Sequence, residues 1–132
     1  MAKKFNFKIK VYYEDTDAGG VVYYANYLKF LERARSEALY NIGYTNSGLL
    51  ESHNLLLIVK SCNIEYKKPA KFEEILEIVS EVTSFTKTSF IMKQNILRDN
   101  ELITIADIHL VAVDKKGKPS KIPDELKKKL EN

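Results

Sequence analysis

The chain has 132 residues, 45% of them hydrophobic and 30% charged, with a formal net charge of +3. Those bounds fit one soluble globular domain over residues 1–132, with too mild a charge to indicate nucleic acid. A single cysteine, Cys62, excludes a disulfide framework and fits a reducing cytoplasm, and no apolar run approaches a membrane span or a secretory leader, the N-terminus reading Met-Ala-Lys-Lys-Phe-Asn.

Residues 5–14 alternate as a first strand, with Phe5, Phe7, Ile9, Val11 and Tyr13 on one face and Lys8, Lys10 and Tyr12 on the other. Asp15 to Tyr23 is a turn. Its Asp-x-Asp-x-Gly-Gly start invites a calcium-loop reading, but an EF-hand needs Asp or Asn at 19 and Glu at 26, and the chain has Gly19 and Asn26. A long helix is expected from Tyr24 or Ala25 to Asn41, with Tyr24, Tyr27, Leu28, Leu31, Ala34, Ala38 and Ile42 as one apolar stripe. The small Ala34 and Ala38 let it lie close to a sheet, and Gly43 is a suitable stop. A short helix follows at Ser47–Ser52.

Four strands then come in sequence, at about Leu55–Tyr66, Glu74–Phe85, Thr88–Arg98 and Leu102–Asp114. Their short connections, such as Phe85-Thr86-Lys87-Thr88, imply antiparallel neighbours. Pro123-Asp124-Glu125 opens a basic C-terminal helix. Together the pattern is an α+β domain in which an antiparallel sheet of about five strands curls around one long helix. The outer face of such a sheet stays partly apolar, so a homodimer or homotetramer is expected.

An acid on a turn followed by a helix start is a place for chemistry, because the first helical N–H groups have no partners within the helix. The run Tyr-Glu-Asp-Thr-Asp-Ala-Gly-Gly-Val-Val-Tyr at 13–23 is followed by Tyr27-x-x-Phe30-x-Glu32-x-x-Arg35 and later by Tyr66-x-x-Pro69-Ala70. These segments resemble the acyl-CoA thioesterases of the hotdog fold, most nearly the 4-hydroxybenzoyl-CoA thioesterase family in its Tol-Pal-associated branch. The likeness covers most of the chain and departs at Tyr24, where that branch often carries His.

The resemblance implies hydrolysis of a thioester to a free acid and coenzyme A, with Asp17 as general base or nucleophile. Read without it, Asp15 and Asp17 serve equally well as turn formers. It also implies backbone donors for the carbonyl oxygen near Val22 to Tyr24, the Tyr24 amide first, with Gly20 giving the turn its freedom. The Tyr24 phenol either lines the acyl pocket or simply packs, and Tyr27 is a further substrate-binding candidate. Lys60, Lys67, Lys68, Lys71 and Lys87, at or near strand ends, are candidates for the coenzyme A phosphates or else solvated lysines, and the resemblance implies nucleotide contacts at Lys87 with Thr88. Glu32 and Arg35 are expected to form an edge ion pair. No cofactor is implied, since coenzyme A is part of the substrate.

Other groups offer less. Cys62 has no histidine at a helpful spacing and reads as a small buried thiol, and His109 reads as core or interface packing. No Cys/His cluster suggests a metal. Two rival functions remain open: a thioesterase acting on acyl carrier protein, and a non-enzymatic acyl-binding module.

Overall fold

The computed structural model describes residues 3–131; Met1 and Ala2, where the run read for a leader begins, and Asn132 lie outside them. The strands are β1 Lys4–Lys10, β2 Leu56–Tyr66, β3 Ile75–Phe85, β4 Ser89–Arg98 and β5 Glu101–Val113, and the helices are α1 Tyr24–Asn41, α2 Asn46–His53 and α3 Asp124–Glu131. The strands form one antiparallel sheet in the order β1-β3-β4-β5-β2. This is the expected hotdog arrangement, with α1 held in the curl of the sheet.

Two expectations about the strands change. The first strand stops at Lys10 instead of running to Glu14, and Tyr13–Asp15 tightens into a single 3-10 turn. Val11 still exchanges backbone bonds with Glu73 and Glu74, so the ladder ends where the chain must leave the sheet. Asp15 then caps the new turn by accepting from the Tyr12 N–H at 2.9 Å. The run of strands is also a meander only from β3 to β5. Residues 67–74 carry the chain away from β2, which pairs instead with β5 at the far edge.

α1 matches its predicted bounds, and Gly43 ends it at φ 89°. The buried side comprises Tyr27, Phe30, Leu31, Ala34, Ala38 and Leu39. Tyr24 and Leu28, expected on the stripe, are exposed. Phe30 and Leu39 take their place, because the curled sheet wraps more of the helix on the β1 and β3 side. Each large apolar side chain so buried stabilises by roughly 1.5–3 kcal/mol.

The concave face of the sheet alternates cleanly. Leu76, Ile78, Phe90, Met92, Ile96, Ala106, Ile108 and Leu110 point inward, and among them sit the buried polar side chains of Ser80 and Gln94. The Gln94 amide donates to the Leu31 carbonyl and to Ser80 Oγ, both at 3.0 Å, and its oxygen accepts from Arg35 at 3.0 Å. Arg35 therefore bonds Gln94 across the sheet, and the expected edge pair with Glu32 does not form. Burial holds the Arg35 guanidinium below its usual range, with Glu32 nearby opposing that shift.

β2 differs from the other strands because both its outer edge and most of its side chains are exposed. Cys62 is exposed with it, contrary to the buried thiol expected. Desolvation nevertheless raises the thiol above its ordinary value.

Because Gln94 satisfies three groups at once, removing it leaves buried polar atoms unpaired. Gln94→Ala is expected to cost about 2–4 kcal/mol, combining that penalty with a small cavity, read from urea midpoints at constant slope.

Candidate active site

The acid turn folds as a miniature hairpin. Thr16 and Val22 bridge in antiparallel fashion, the Asp17 N–H donates to the Val21 carbonyl at 2.9 Å, and the Gly20 N–H closes the turn on the Asp17 carbonyl at 3.0 Å. Gly20 sits at φ 80°, the left-handed position that follows such a turn in a glycine-bulge hairpin. Gly19 matters for a different reason. A Cβ there would lie 3.2 Å from Asp17 Oδ1, crowding the carboxylate.

The two acids have separate jobs. Asp15 turns its carboxylate back onto the Tyr12 N–H, while its carbonyl accepts from the Tyr23 N–H at 3.1 Å and from Asn26 Nδ2 at 2.8 Å. Asp17 uses one oxygen, Oδ1, to accept from the Gly19 N–H at 2.8 Å. Its other oxygen takes no hydrogen bond, and Asp17 lines a cleft.

The cleft holds about 380 Å³ and is lined by Asp17, Val21 to Tyr24, Tyr27, and the segment Tyr66 to Pro69. Its floor is aromatic. The Tyr66 ring lies 4.9 Å from Tyr24 and 5.1 Å from Tyr27, centroid to centroid. Tyr27 is 2% exposed, so it forms the base of the cleft, whereas Tyr24 at 68% stands at its mouth. Burial raises the Tyr27 phenol above its usual value, and the hydroxyl accepts from the Ala70 N–H at 3.0 Å. The Ala70 carbonyl in turn accepts from the Val22 N–H at 2.8 Å.

The accounting of backbone donors at the start of α1 is therefore specific. The Val22 N–H is taken by Ala70 and the Tyr23 N–H by Asp15, while the Asn26 N–H turns back on Tyr23. The N–H groups of Tyr24 and Ala25 are left without partners, at the positive end of an 18-residue helix. A polarised oxygen bound there meets two free donors, and Asp17 lines the cleft beside Tyr24.

Behind the cleft, Arg98 donates to the Pro69 carbonyl at 3.0 Å and to Glu74 at 2.9 Å, and its second nitrogen bonds Glu101 at 2.9 Å. Lys68 also pairs with Glu101, and Lys67 with Glu65 at 3.5 Å. Hydrogen bonds from Lys68 and then Arg98 hold the Glu101 carboxyl below its ordinary value. This network fixes residues 67–71, which form one wall.

Of the residues singled out from sequence, Asp17, Val22, Tyr24 and Tyr27 line the cleft, and Gly20 shapes the turn beside it. Lys60 does not join them; it occupies a bulge in β2. Lys87 and Thr88 lie in the β3–β4 turn, at the opposite end of the sheet within one chain. Two functional positions escaped the sequence reading. In the sequence Asn26 stands out only against a metal-loop pattern, and Tyr66 only as part of a motif.

The profile of the thioesterase-like superfamily matches residues 11–130. An acyl-CoA thioesterase, YbgC, from Haemophilus influenzae is 40% identical over 124 residues, spanning 93% of this chain and 91% of that protein. Among solved structures, a probable thioesterase from Bartonella henselae superposes with a TM-score of 0.88 at 32% identity, over 92% of this chain and 100% of that one. A 4-hydroxybenzoyl CoA thioesterase complexed with 4-hydroxybenzoyl CoA superposes with a TM-score of 0.92 over 98% of this chain and 99% of that one; at 18% identity that likeness concerns the fold alone.

The two clamps on the turn differ in what they leave behind. Tyr27→Phe strands the buried Ala70 N–H and is expected to cost about 1–3 kcal/mol. Asn26→Ala leaves the Asp15 carbonyl still bonded to Tyr23, so about 0.5–1.5 kcal/mol is expected. Amide exchange at Ala70 and Val22 should quicken in the first variant and not in the second.

Proposed function

Since the chain belongs to the thioesterase-like superfamily, we propose that it hydrolyses acyl-CoA thioesters in the cleft between Asp17 and the start of α1. The supporting observation is one unbonded carboxylate oxygen on Asp17 together with the unclaimed N–H groups of Tyr24 and Ala25 at the start of α1. The thioester carbonyl oxygen accepts from these amides, which stabilise it most when it carries negative charge; each such donor typically contributes about 2.7–4 kcal/mol to the transition state. Asp17 then takes a proton from an attacking water, or attacks the carbonyl itself to give an anhydride that water opens. In the first route the coenzyme A thiolate leaves as the water adduct collapses, and in the second it leaves as the anhydride forms, before water releases the acid; both need the same free oxygen.

The site is shared between copies of the chain. β2 leaves a long apolar edge open, with Leu56, Ile58 and Val59 exposed, and edges of this kind are ordinarily paired or covered. Two β2 strands pairing antiparallel about a two-fold axis bring the Lys87 end of one copy toward the Asp17 end of the other. That is the route by which Lys60, Lys87 and Thr88 reach the coenzyme A phosphates. On the outer face, Val79, Ile91, Ile105 and Val111 are half-buried beside His109, an apolar surface through which dimers pair into a tetramer. No helix among the described residues is long and apolar enough to cross a membrane. The unpaired Cys62 supports a cytoplasmic location.

Asp17→Asn keeps the size of the side chain and the bond from Gly19 but supplies neither base nor nucleophile. Turnover of acyl-CoA should fall at least about a hundredfold with little change in melting temperature. Asp15→Asn should cost far less turnover and more stability, because its carboxylate serves the Tyr12 N–H. Near-normal turnover in Asp17→Asn would remove this carboxylate from the mechanism.

Sedimentation at micromolar concentration should give a multiple of the 15.2 kDa monomer, and a charge placed on the open edge, Val59→Asp, should shift the mass toward the monomer. A monomeric wild-type enzyme at full activity would sink the shared site.

A further inference from the structure

Two successive peptide groups around Ala70 are held at both of their polar atoms. In the Pro69–Ala70 peptide the carbonyl accepts from Arg98 at 3.0 Å, and the N–H donates to the Tyr27 hydroxyl at 3.0 Å. In the Ala70–Lys71 peptide the carbonyl accepts from the Val22 N–H at 2.8 Å, and the N–H donates to Glu74 Oε1 at 2.6 Å. Glu74 Oε1 also accepts from Arg98 at 2.9 Å. Arg98 therefore reaches the first peptide directly and the second through Glu74.

The placement of this ion pair suits a role in holding backbone. Arg98 is the last residue of β4, and Glu74 immediately precedes β3. Their side chains are 20% and 25% exposed, and Ala70 is fully buried. Charge-assisted bonds so shielded are stronger than those of a solvated surface pair. Neither Arg98 nor Glu74 lines the cleft. Their influence on a substrate passes through the backbone: the Ala70 carbonyl holds Val22, and the free amides of Tyr24 and Ala25 stand two and three residues beyond it.

We propose that Arg98, with Glu74, is a positioning residue for thioester hydrolysis: it fixes the two peptides around Ala70 and, through Val22, sets where the Tyr24 and Ala25 amides meet the substrate carbonyl oxygen. The inference rests on the thioesterase reading above and deepens it. The donors must lie on the place the oxygen occupies as it gains charge, and a displacement of about 1 Å costs on the order of a hundredfold in rate. An interaction that counts most at that moment is read in kcat more than in KM.

The test measures hydrolysis of hexanoyl-CoA and benzoyl-CoA by the full-length wild type, Arg98→Met, Arg98→Lys, Tyr27→Phe and the double variant Arg98→Met/Tyr27→Phe. Arg98→Met should lower kcat at least about tenfold and leave KM within about threefold. Arg98→Lys, which keeps the charge and a donor for Pro69, should recover part of the loss. The double variant should lose little more kcat than the worse single variant, because both side chains hold one peptide. A second readout is the infrared stretch of a carbonyl-labelled benzoyl-CoA bound to Asp17→Asn. It should lie below its value in water, and adding Arg98→Met should return it toward that value. Unchanged kcat in Arg98→Met, a loss carried by KM alone, additive losses in the double variant or an unmoved carbonyl stretch each overturn this inference and leave the thioesterase reading standing. If Arg98→Met does not fold, Arg98→Lys carries the same readouts, with smaller changes in the same directions. Failure of the wild type to hydrolyse either substrate overturns the thioesterase reading as well.

Discussion

The peptide of Ala70 joins three parts of the molecule. Its N–H donates to the buried hydroxyl of Tyr27, and its carbonyl accepts from Val22. It is fully buried, so neither bond has water as a substitute. The position of Val22 decides where α1 begins, and where α1 begins decides which amides stay free. Asp15 and Asn26 secure the other side of the same turn. The result is a hairpin whose Val22 and Tyr23 donors are spent and whose next two, at Tyr24 and Ala25, are not. Preorganised donors of that sort lose little when charge develops beside them, because they need not reorient. Arg98 contributes from behind. By holding Pro69 it keeps the Ala70 peptide from tilting, and Glu74 and Glu101 keep Arg98 in place.

The sheet separates stability from function by strand order. β3, β4 and β5 are central, and their inward side chains make the core with α1. β2 is an edge strand that pairs only with β5 and contributes little to that core. Exposure of a long apolar edge is costly unless something covers it. Here the same strand borders the catalytic cleft at Tyr66 and an apolar cavity at Leu57 and Val59. The least buried of the strands therefore borders both the cleft and the cavity.

Much of this was legible in the sequence, for identifiable reasons. α1 showed itself by three- and four-residue spacing and by Gly43, because helix periodicity is local. The acid turn showed itself by its residue pattern, and the family resemblance followed from the same residues. The end of β1 did not, since Tyr12 and Tyr13 continue the alternation that defines a strand. Only the side chain of Asp15, returning to the Tyr12 N–H, closes the 3-10 turn instead. The place of β2 was hidden because sequence order suggests a meander, and the pairing of β2 with β5 is a long-range choice. That choice also left Cys62 exposed when its apolar neighbours implied burial. Gln94 and Asn26 carried no signal, because each matters through a carbonyl distant in sequence.

The division of labour between Asp15 and Asp17 shows what sequence spacing leaves open and hydrogen-bond geometry decides. Two residues apart on one turn, the carboxylates are equivalent by composition. Asp15 spends its side chain on its own loop, and its backbone carbonyl carries the first turn of α1. Asp17 spends one oxygen on Gly19, which fixes the rotamer, and keeps the other open to the cleft. A carboxylate with no fixed oxygen would wander among rotamers, and one with both oxygens bonded would have nothing left to offer a water or a carbonyl carbon. Gly19 is what makes the intermediate case possible. It supplies the N–H that pins Oδ1 and lacks the Cβ that would press on it. The diglycine therefore serves two ends: Gly20 supplies the positive φ that closes the hairpin, and Gly19 supplies the clearance that leaves one oxygen of Asp17 held and the other available.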